Sequence, residues 1–273
     1  MSVRISLPRL LGLVACSLVV GFLWSDWRRE TATTVAQAAP MPAGPQLPKT
    51  GPTDCRWATS PITLDGVADE PAWQQAQAVT NFTTYWANRP GKTTTVAKLL
   101  WDDKYLYFHA DMQDDDLFAD VTEHDGVTWE NDVFELFFRP DSKKLPYYEF
   151  EVSVANTHFD MFTPSRGSGH LRRWLKTRKF GWETVVKARG KLNTPDTSTE
   201  KAEGWSVEGR FPWSDFAPTG GKPAVGGIWH FALCRYDYSK SYPDAELTCT
   251  APLTQPNFHR IEDYTELRFM KAD

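Results

Sequence analysis

An all-β fold, an antiparallel β-sandwich of jelly-roll type in a single domain, is what the sequence predicts, and three observations carry that reading. Eight short runs rich in β-branched and aromatic residues recur along the chain: Val96–Trp101, Lys104–Asp111, Asp132–Phe138, Tyr147–Ala155, Trp182–Arg189, Gly204–Phe211, Ile228–Tyr238 and Tyr264–Phe269. Gly, Pro, Asp and Asn separate them, at the spacing of sandwiches and barrels. Only Pro71–Ala78 and Pro212–Phe216 admit helices, both brief and both opening on a proline, which is tolerated at a first helical position. No Rossmann, P-loop or TIM-barrel pattern and no internal repeat is present.

The 273 residues are 41% hydrophobic and 24% charged, enough apolar surface for a sizeable core. The aromatic share is high at 14%, with 12 Trp, 16 Phe and 9 Tyr, a surplus that points to recognition of a flat ligand. Residues 54–273 carry 25 basic against 33 acidic side chains, which argues against sequence-independent nucleic-acid binding.

The first 53 residues stand apart. Arg4 and Arg9 precede an uncharged run from Leu10 to Trp24, the pattern of an export signal. That run is short of the ~20 residues that span a bilayer comfortably. A small-x-small site, Ala36-Gln37-Ala38, lies downstream, and Leu13-Val14-Ala15-Cys16 resembles a lipoprotein box. Residues 1–38 therefore read as a signal peptide or a membrane anchor, with residues 10–24 as the tether in the second case. Five of the thirteen residues from Pro40 to Pro52 are proline, so residues 39–53 read as an extended linker. Residues 54–273 form the domain, expected in the periplasm, at the cell surface or secreted.

An oxidising compartment gives meaning to Cys55, Cys234 and Cys249. One disulfide and one leftover thiol is the simplest reading, joining Cys249 to either Cys55 or Cys234. No CxxC or His-rich spacing suggests zinc. The acidic run Asp111, Asp114, Asp115, Asp116 and a second group, Asp65, Asp69 and Glu70, supply hard oxygen ligands, so structural calcium is an expectation, with Asp65, Asp69, Asp114 and Asp116 as candidates. Asp65-Gly66 also reads as an ordinary turn.

Side chains alternate along an extended strand, so Trp129, Val133, Glu135 and Phe137 share one face and Asp132, Phe134, Leu136 and Phe138 the other. Glu135 is then an acid among apolar neighbours, and leaving it unsatisfied would cost several kcal/mol. It accepts hydrogen bonds from ligand hydroxyls beside the flat face of Trp129, or it pairs with an arginine such as Arg139 or Arg235. Phe258 and His259 occupy a loop before the last strand, Asn156 and His158 follow the Tyr147–Ala155 strand, and Trp86 lies in a polar stretch; all five are candidate contacts. Trp73, Trp101, Trp182, Trp205 and Trp229 read as core. Between Arg166 and Lys179 a basic run surrounds Trp174, which would favour acidic glycans if it borders the binding face.

The segments Ile62-Thr63-Leu64-Asp65-Gly66-Val67-Ala68-Asp69-Glu70-Pro71-Ala72-Trp73 and Lys98–Tyr107 resemble the opening of carbohydrate-binding module family nine and its cellulose/xylan-binding-like relatives. Trp129–Phe138, Tyr147–Val152, Gly204–Glu208 and Asn257–Arg260 resemble its later blocks in the same order, so the resemblance spans residues 55–270. It implies a β-sandwich that binds sugars without catalysis, in characterised members at the reducing end of a chain held between two aromatic rings, and bound calcium is common in that family. Trp129 and Glu135 match family binding positions. The second aromatic falls where this chain has Phe258-His259 rather than a tryptophan.

Two other functions merit weighing. Asp132, Glu135, Glu149 and Glu151 could supply the carboxylate pair of a glycoside hydrolase, although nothing marks a general acid. Relatives of this sandwich also bind b-type haem in electron-transfer proteins through axial Met and His or Lys; Met112, Met161 and His109 could be drafted for that, but no spacing supports them.

Overall fold

The computed structural model describes residues 51–84, 89–165 and 179–271, all within the compact unit Ala43–Asp273. Twelve strands run β1 Thr53–Trp57, β2 Thr83–Thr84, β3 Thr95–Trp101, β4 Tyr105–Met112, β5 Val133–Arg139, β6 Tyr147–Ser153, β7 His158–Thr163, β8 Glu183–Arg189, β9 Gly204–Pro212, β10 Ile228–Asp237, β11 Glu246–Cys249 and β12 Thr265–Phe269. The eight expected strands are all present within two residues of their expected ends. The short strands β1, β2, β7 and β11 are additional. Cys55 lies inside β1. The expected Pro71–Ala78 helix is one turn, α1 Pro71–Gln74, and the Pro212–Phe216 helix is a 3-10 segment, Trp213–Thr219, that Pro212 precedes.

The hydrogen-bonded order is β7-β6-β5-β10-β12-β1-β3-β4-β9-β8, with β11 on β10 and β2 on β11. Most pairings are antiparallel, but β1 pairs parallel with β12 through Thr53–Cys55 and parallel with β3 through Arg56 and Trp57. Parallel neighbours need a long crossover, and residues 58–94 between β1 and β3 supply one. Through β1 one layer of the sandwich continues into the other.

The main core lies between the layers. Phe134, Leu136 and Phe138 of β5, with Tyr148, Phe150 and Val152 of β6, meet Leu106, Phe108 and Ala110 of β4 and Trp205, Val207 and Phe211 of β9. Trp101, Trp182, Trp205 and Trp229 belong to it, as the sequence predicts. Trp73 is fully buried in a smaller cluster and donates its indole N–H to Glu208 Oε1 at 3.0 Å, while Glu208 Oε2 accepts the backbone N–H groups of Asp65 and Gly66. Gly66 sits at φ +86°, where a side chain would be strained. The Asp65–Trp73 motif is thus a latch onto β9.

A second apolar cluster covers the other face of β5 and β10. Phe137, Ala232, Cys234 and Cys249 pack there against Ala251, Leu253, Phe258, Ile261 and Tyr264, which the chain between β11 and β12 brings over the sheet. Tyr264 donates its hydroxyl to the Phe258 carbonyl at 2.8 Å, tying that segment to itself. Tyr147 of β6 joins this cluster, and Glu149, Glu151 and Ser153 on the same face of the strand are buried as well.

Candidate functional site

Strand register assembles the site on the face away from the main core. Cys249 pairs with Cys234, Cys234 with Glu135, Glu135 with Glu151, and Glu151 with Phe159, so these five side chains form one row across β11, β10, β5, β6 and β7. The adjacent row holds Ala232, Phe137, Glu149 and Met161. Three glutamates therefore converge: an oxygen from each of Glu135, Glu149 and Glu151 lies within 4.8 Å of the others. Their relative exposures are 1%, 4% and 1%.

Burial and mutual repulsion act in the same direction on these acids. Desolvation, then the neighbouring carboxyls, pushes Glu135 and Glu151 well above the usual carboxylate range. Glu149 is raised by burial, with His259 opposing. Thr128 donates its hydroxyl to Glu151 Oε2. His259 Nδ1 lies 2.9 Å from the Tyr147 hydroxyl and 3.8 Å from Glu149 Oε2. The arginines weighed as partners for Glu135 go elsewhere. Arg235 holds Asp114 and Asp237, and Arg139 bonds the carbonyls of Lys144 and Ile261.

Trp129 stands in a single 3-10 turn, Thr128–Glu130, at the start of β5. Its half-buried ring meets Phe159 edge to face at 5.5 Å, and its carbonyl accepts the Tyr238 hydroxyl at 2.9 Å. Through Thr128 and Phe159 it borders the glutamate row. Trp129, Glu135 and His259 are thus brought to one face. Phe258 joins them as a packing residue, 4% exposed and edge-on to Tyr236 at 5.4 Å.

Asn156 and His158 lie elsewhere. Asn156 occupies the β6–β7 turn at φ +61°, and its Oδ1 accepts the Thr184 hydroxyl. His158 pairs with Thr184 at 2.6 Å and stacks on Trp182 of the main core at 4.1 Å, with burial holding its ring down to about 4. It points away from the glutamates because it precedes Phe159 by one residue on an alternating strand. Trp86, the apolar run of residues 10–24, and residues 166–178 of the basic run lie outside the described residues. No helix among the described residues is long and apolar enough to cross a membrane.

The expected calcium ligands do not form one set. Asp65 Oδ1 accepts the Val67 N–H in a turn, and Asp69 is exposed. Asp116 Oδ2 accepts the Lys240 N–H. Asp114 converges with Asp132 and Asp237, but the Arg235 guanidinium already occupies the position of a cation there. Of the two disulfide alternatives, Cys55–Cys249 is excluded by topology, because Cys55 lies in the main core and Cys249 in the cluster across the sheet. Cys234 and Cys249 sit opposite each other with sulfurs 3.4 Å apart, and all three thiols are free in this structure.

Glu149, Glu151, Thr128, Tyr147 and Tyr236 were not singled out as contacts from the sequence. The alternation Tyr147-Tyr148-Glu149-Phe150-Glu151 does place both acids on one face. What it lacks is the register that sets them beside Glu135.

Residues 64–260 match the family described as carbohydrate family 9 binding domain-like. The chain belongs to that family. Its members are non-catalytic carbohydrate-binding modules. A carbohydrate-binding module family 9 from Caldicellulosiruptor kristjanssonii in complex with cellotriose superposes with a TM-score of 0.54 at 18% identity, over 81% of this chain and 94% of that one. Endo-1,4-beta-xylanase A of Thermoanaerobacterium saccharolyticum is 26% identical over 158 residues, 58% of this chain and 11% of the xylanase. Exoglucanase XynX of Acetivibrio thermocellus is 32% identical over 97 residues, 36% of this chain and 8% of the relative. The chain thus spans about a tenth of the length of these curated relatives.

Proposed function

We propose that this family 9 domain is exported and holds a poly- or oligosaccharide at the face that carries Trp129. One observation carries the reading: a large aromatic ring, half-buried at the edge of a polar row, on the sheet face opposite the main core. The ring presents a flat apolar surface to the C–H groups of a pyranose. His259, whose side chain is 37% exposed beside Glu149, offers a hydrogen-bonding group to the hydroxyls. Cellotriose and glucose, the ligands of the structurally similar module, make glucose-based chains the first class to test. Hydrolysis is a poor fit to the same residues. Glycosidases hold their carboxyls about 5–5.5 Å or 6.5–9.5 Å apart across an open bond-cleavage site, whereas here they are closer and closed off. Haem is a poor fit as well, because Met112 lies in the main core, His109 three residues before it on the opposite face of β4, and Met161 in the other layer.

Export agrees with the basic and apolar pattern of residues 1–38, and in an oxidising compartment Cys234 and Cys249 become a cross-strand disulfide. Calorimetric titration of the full chain with cello- and xylo-oligosaccharides, repeated with borohydride-reduced ligands and with Trp129→Ala, tests the reading. Saturable binding that Trp129→Ala abolishes supports it, and loss on reduction adds reducing-end specificity. Binding unchanged in Trp129→Ala, or none to any sugar, refutes it.

A further inference from the structure

The outer face of the β8-β9-β4-β3 layer holds a cleft of about 430 Å³ that the sugar reading does not use. Register sets Lys187, Ser206, Asp111 and Val96 in one row across it, and Glu208, His109 and Lys98 in the next. The Asp65–Trp73 latch supplies a wall through Val67 and Ala68 and is fixed to the sheet there, since Ser206 Oγ donates to the Gly66 carbonyl at 2.7 Å. Three cations and one acid line the cleft, in a domain that carries 33 acidic against 25 basic side chains. The acid is already engaged: Asp111 accepts Arg189 Nη1 and Nη2 at 2.9 and 3.2 Å. Glu208 beside it is taken up by Trp73 and by the N–H groups of Asp65 and Gly66. Lys98 and Lys187 are left without a carboxylate, whereas Lys144, Lys191, Lys201 and Lys222 each have one. Lys98 Nζ donates to the Trp73 carbonyl at 3.1 Å, which fixes the ammonium and leaves two of its three donors for a ligand. The stem of Lys187 lies along the latch, where a Cβ on Gly66 would come within 3.4 Å of its Cγ. A solvated lysine on an open strand face needs neither an anchored ammonium nor a wall beside it.

We propose that this cleft is a second binding site, for a small organic acid whose negative charge is met by Lys98 and Lys187 from opposite sides. The two lysines stand on β3 and β8, three strand spacings or about 14 Å apart, a gap that two extended lysine side chains narrow to the size of one ligand. Ammonium–carboxylate hydrogen bonds are charge-assisted and correspondingly strong. The cleft falls within the roughly 300–1,000 Å³ of small-ligand sites. Val67, Ala68 and Val96 give it an apolar side, which selects an organic body over a bare inorganic ion, while His109 and Ser206 present polar groups between the lysines. A carboxylate attached to a hydroxyl-bearing ring, as in a uronic acid, meets all three kinds of group. The cleft and the Trp129 face lie on the outer faces of different layers, so this site goes beyond the sugar reading and needs no part of it.

The test titrates the full chain calorimetrically with glucuronate, galacturonate and succinate, with inorganic sulfate and neutral glucose as references. The expected result is one saturable site for the organic acids, weakened by about 0.5 M NaCl, and at least a tenfold loss of affinity in both Lys187→Gln and Lys98→Gln. Lys187 is exposed, so its variant keeps the fold, and Lys187→Arg should retain binding; circular dichroism verifies all three variants. Lys222→Gln, which removes the partner of Asp103 outside the cleft, should leave the affinity unchanged. Uronates binding more tightly than succinate identify a sugar acid as the ligand class, and the reverse order identifies an acid that is not a sugar. Failure of all three organic acids to bind overturns the proposal. So does sulfate binding as tightly as they do, binding that survives in both Gln variants, or binding lost equally in Lys222→Gln. Acid binding that Trp129→Ala abolishes while the lysine variants keep it places the acid on the sugar face and overturns the proposal too. Should neutral sugars fail to bind while the organic acids behave as expected, only the sugar reading is lost; the reverse pattern removes only the acid site.

Discussion

Replacing Arg235 by Met isolates what a built-in cation contributes to this fold. Arg235 Nη1 donates to the hydroxyls of Thr93 and Thr95 at 3.0 and 3.3 Å, and Nη2 to the Gln113 carbonyl at 2.7 Å and Asp114 Oδ2 at 3.1 Å. Methionine keeps most of the apolar stem and removes the charge. Taking one partner from a buried ion pair costs about 3–5 kcal/mol, because the other charge remains buried. In a domain of this size each kcal/mol moves Tm by roughly 2–4 °C, so Arg235→Met melts roughly 6–20 °C lower at neutral pH. The loss must also depend on pH. Burial and then Asp237 push Asp114 up to about 7 even with Arg235 opposing them, and Asp132 and Asp237 are raised by burial as well. A carboxyl whose folded pKa exceeds its unfolded value of 3.8 contributes stability that is complete below that value and is lost as pH rises through the folded pKa. Without the guanidinium the folded values climb further. The gap between wild type and variant is therefore widest near pH 8–9 and narrows toward pH 5. Urea titrations followed by tryptophan fluorescence across that range measure it. A deficit below 1 kcal/mol, or one of constant size from pH 5 to pH 9, refutes the reasoning.

The same linkage applies to the glutamate row. Glu135 is raised well above its ordinary value of 4.5, so its stabilising contribution is present in acid and is lost on raising the pH. Glu135→Gln is expected to flatten the fall in urea midpoint between pH 5 and pH 9, and an unchanged slope would contradict this. For the cysteines, peptide mapping of unreduced, exported protein should find Cys234 joined to Cys249, with Cys55 alkylated only after unfolding. The register supports that pair, since directly opposed residues on antiparallel strands have Cα atoms about 4.5–5.5 Å apart, within disulfide range. A Cys55 crosslink would contradict the placement of Cys55 in the main core.

Much of the fold is legible in the sequence because the long strands carry their own signal. Val133–Arg139 alternates, so that Phe134, Leu136 and Phe138 reach the main core and Phe137 the second cluster, as the period of two requires. The strands that escape are short or carried by polar residues. His158–Thr163 mixes His, Asp and Thr with its apolar positions, and Thr83–Thr84 has two residues. Parallel pairing of β1 is invisible locally, because it depends on where Thr265–Phe269 arrives more than 200 residues later. The candidate site divides along the same line. Trp129 and Glu135 could be singled out within one segment, whereas Glu149 and Glu151 matter only because a register sets them beside Glu135. Phe258 illustrates the converse: a loop position suggested contact, but the loop folds back over Phe137 and Tyr236 and buries the ring.

The most direct test of the proposed sugar-binding face is the indole N–H region of a 15N spectrum of the full chain during titration with cellotriose, with Trp129→Phe assigning the Trp129 peak. Trp73, Trp101, Trp182 and Trp213, packed in the main core or the smaller cluster, hold their indole N–H groups in bonds to Glu208, Met270, Asp160 and Asp102 and serve as internal controls. The proposal predicts that the Trp129 resonance shifts with ligand concentration while those four stay in place. Binding that leaves Trp129 unmoved and shifts one of the four instead would place the ligand elsewhere and contradict it.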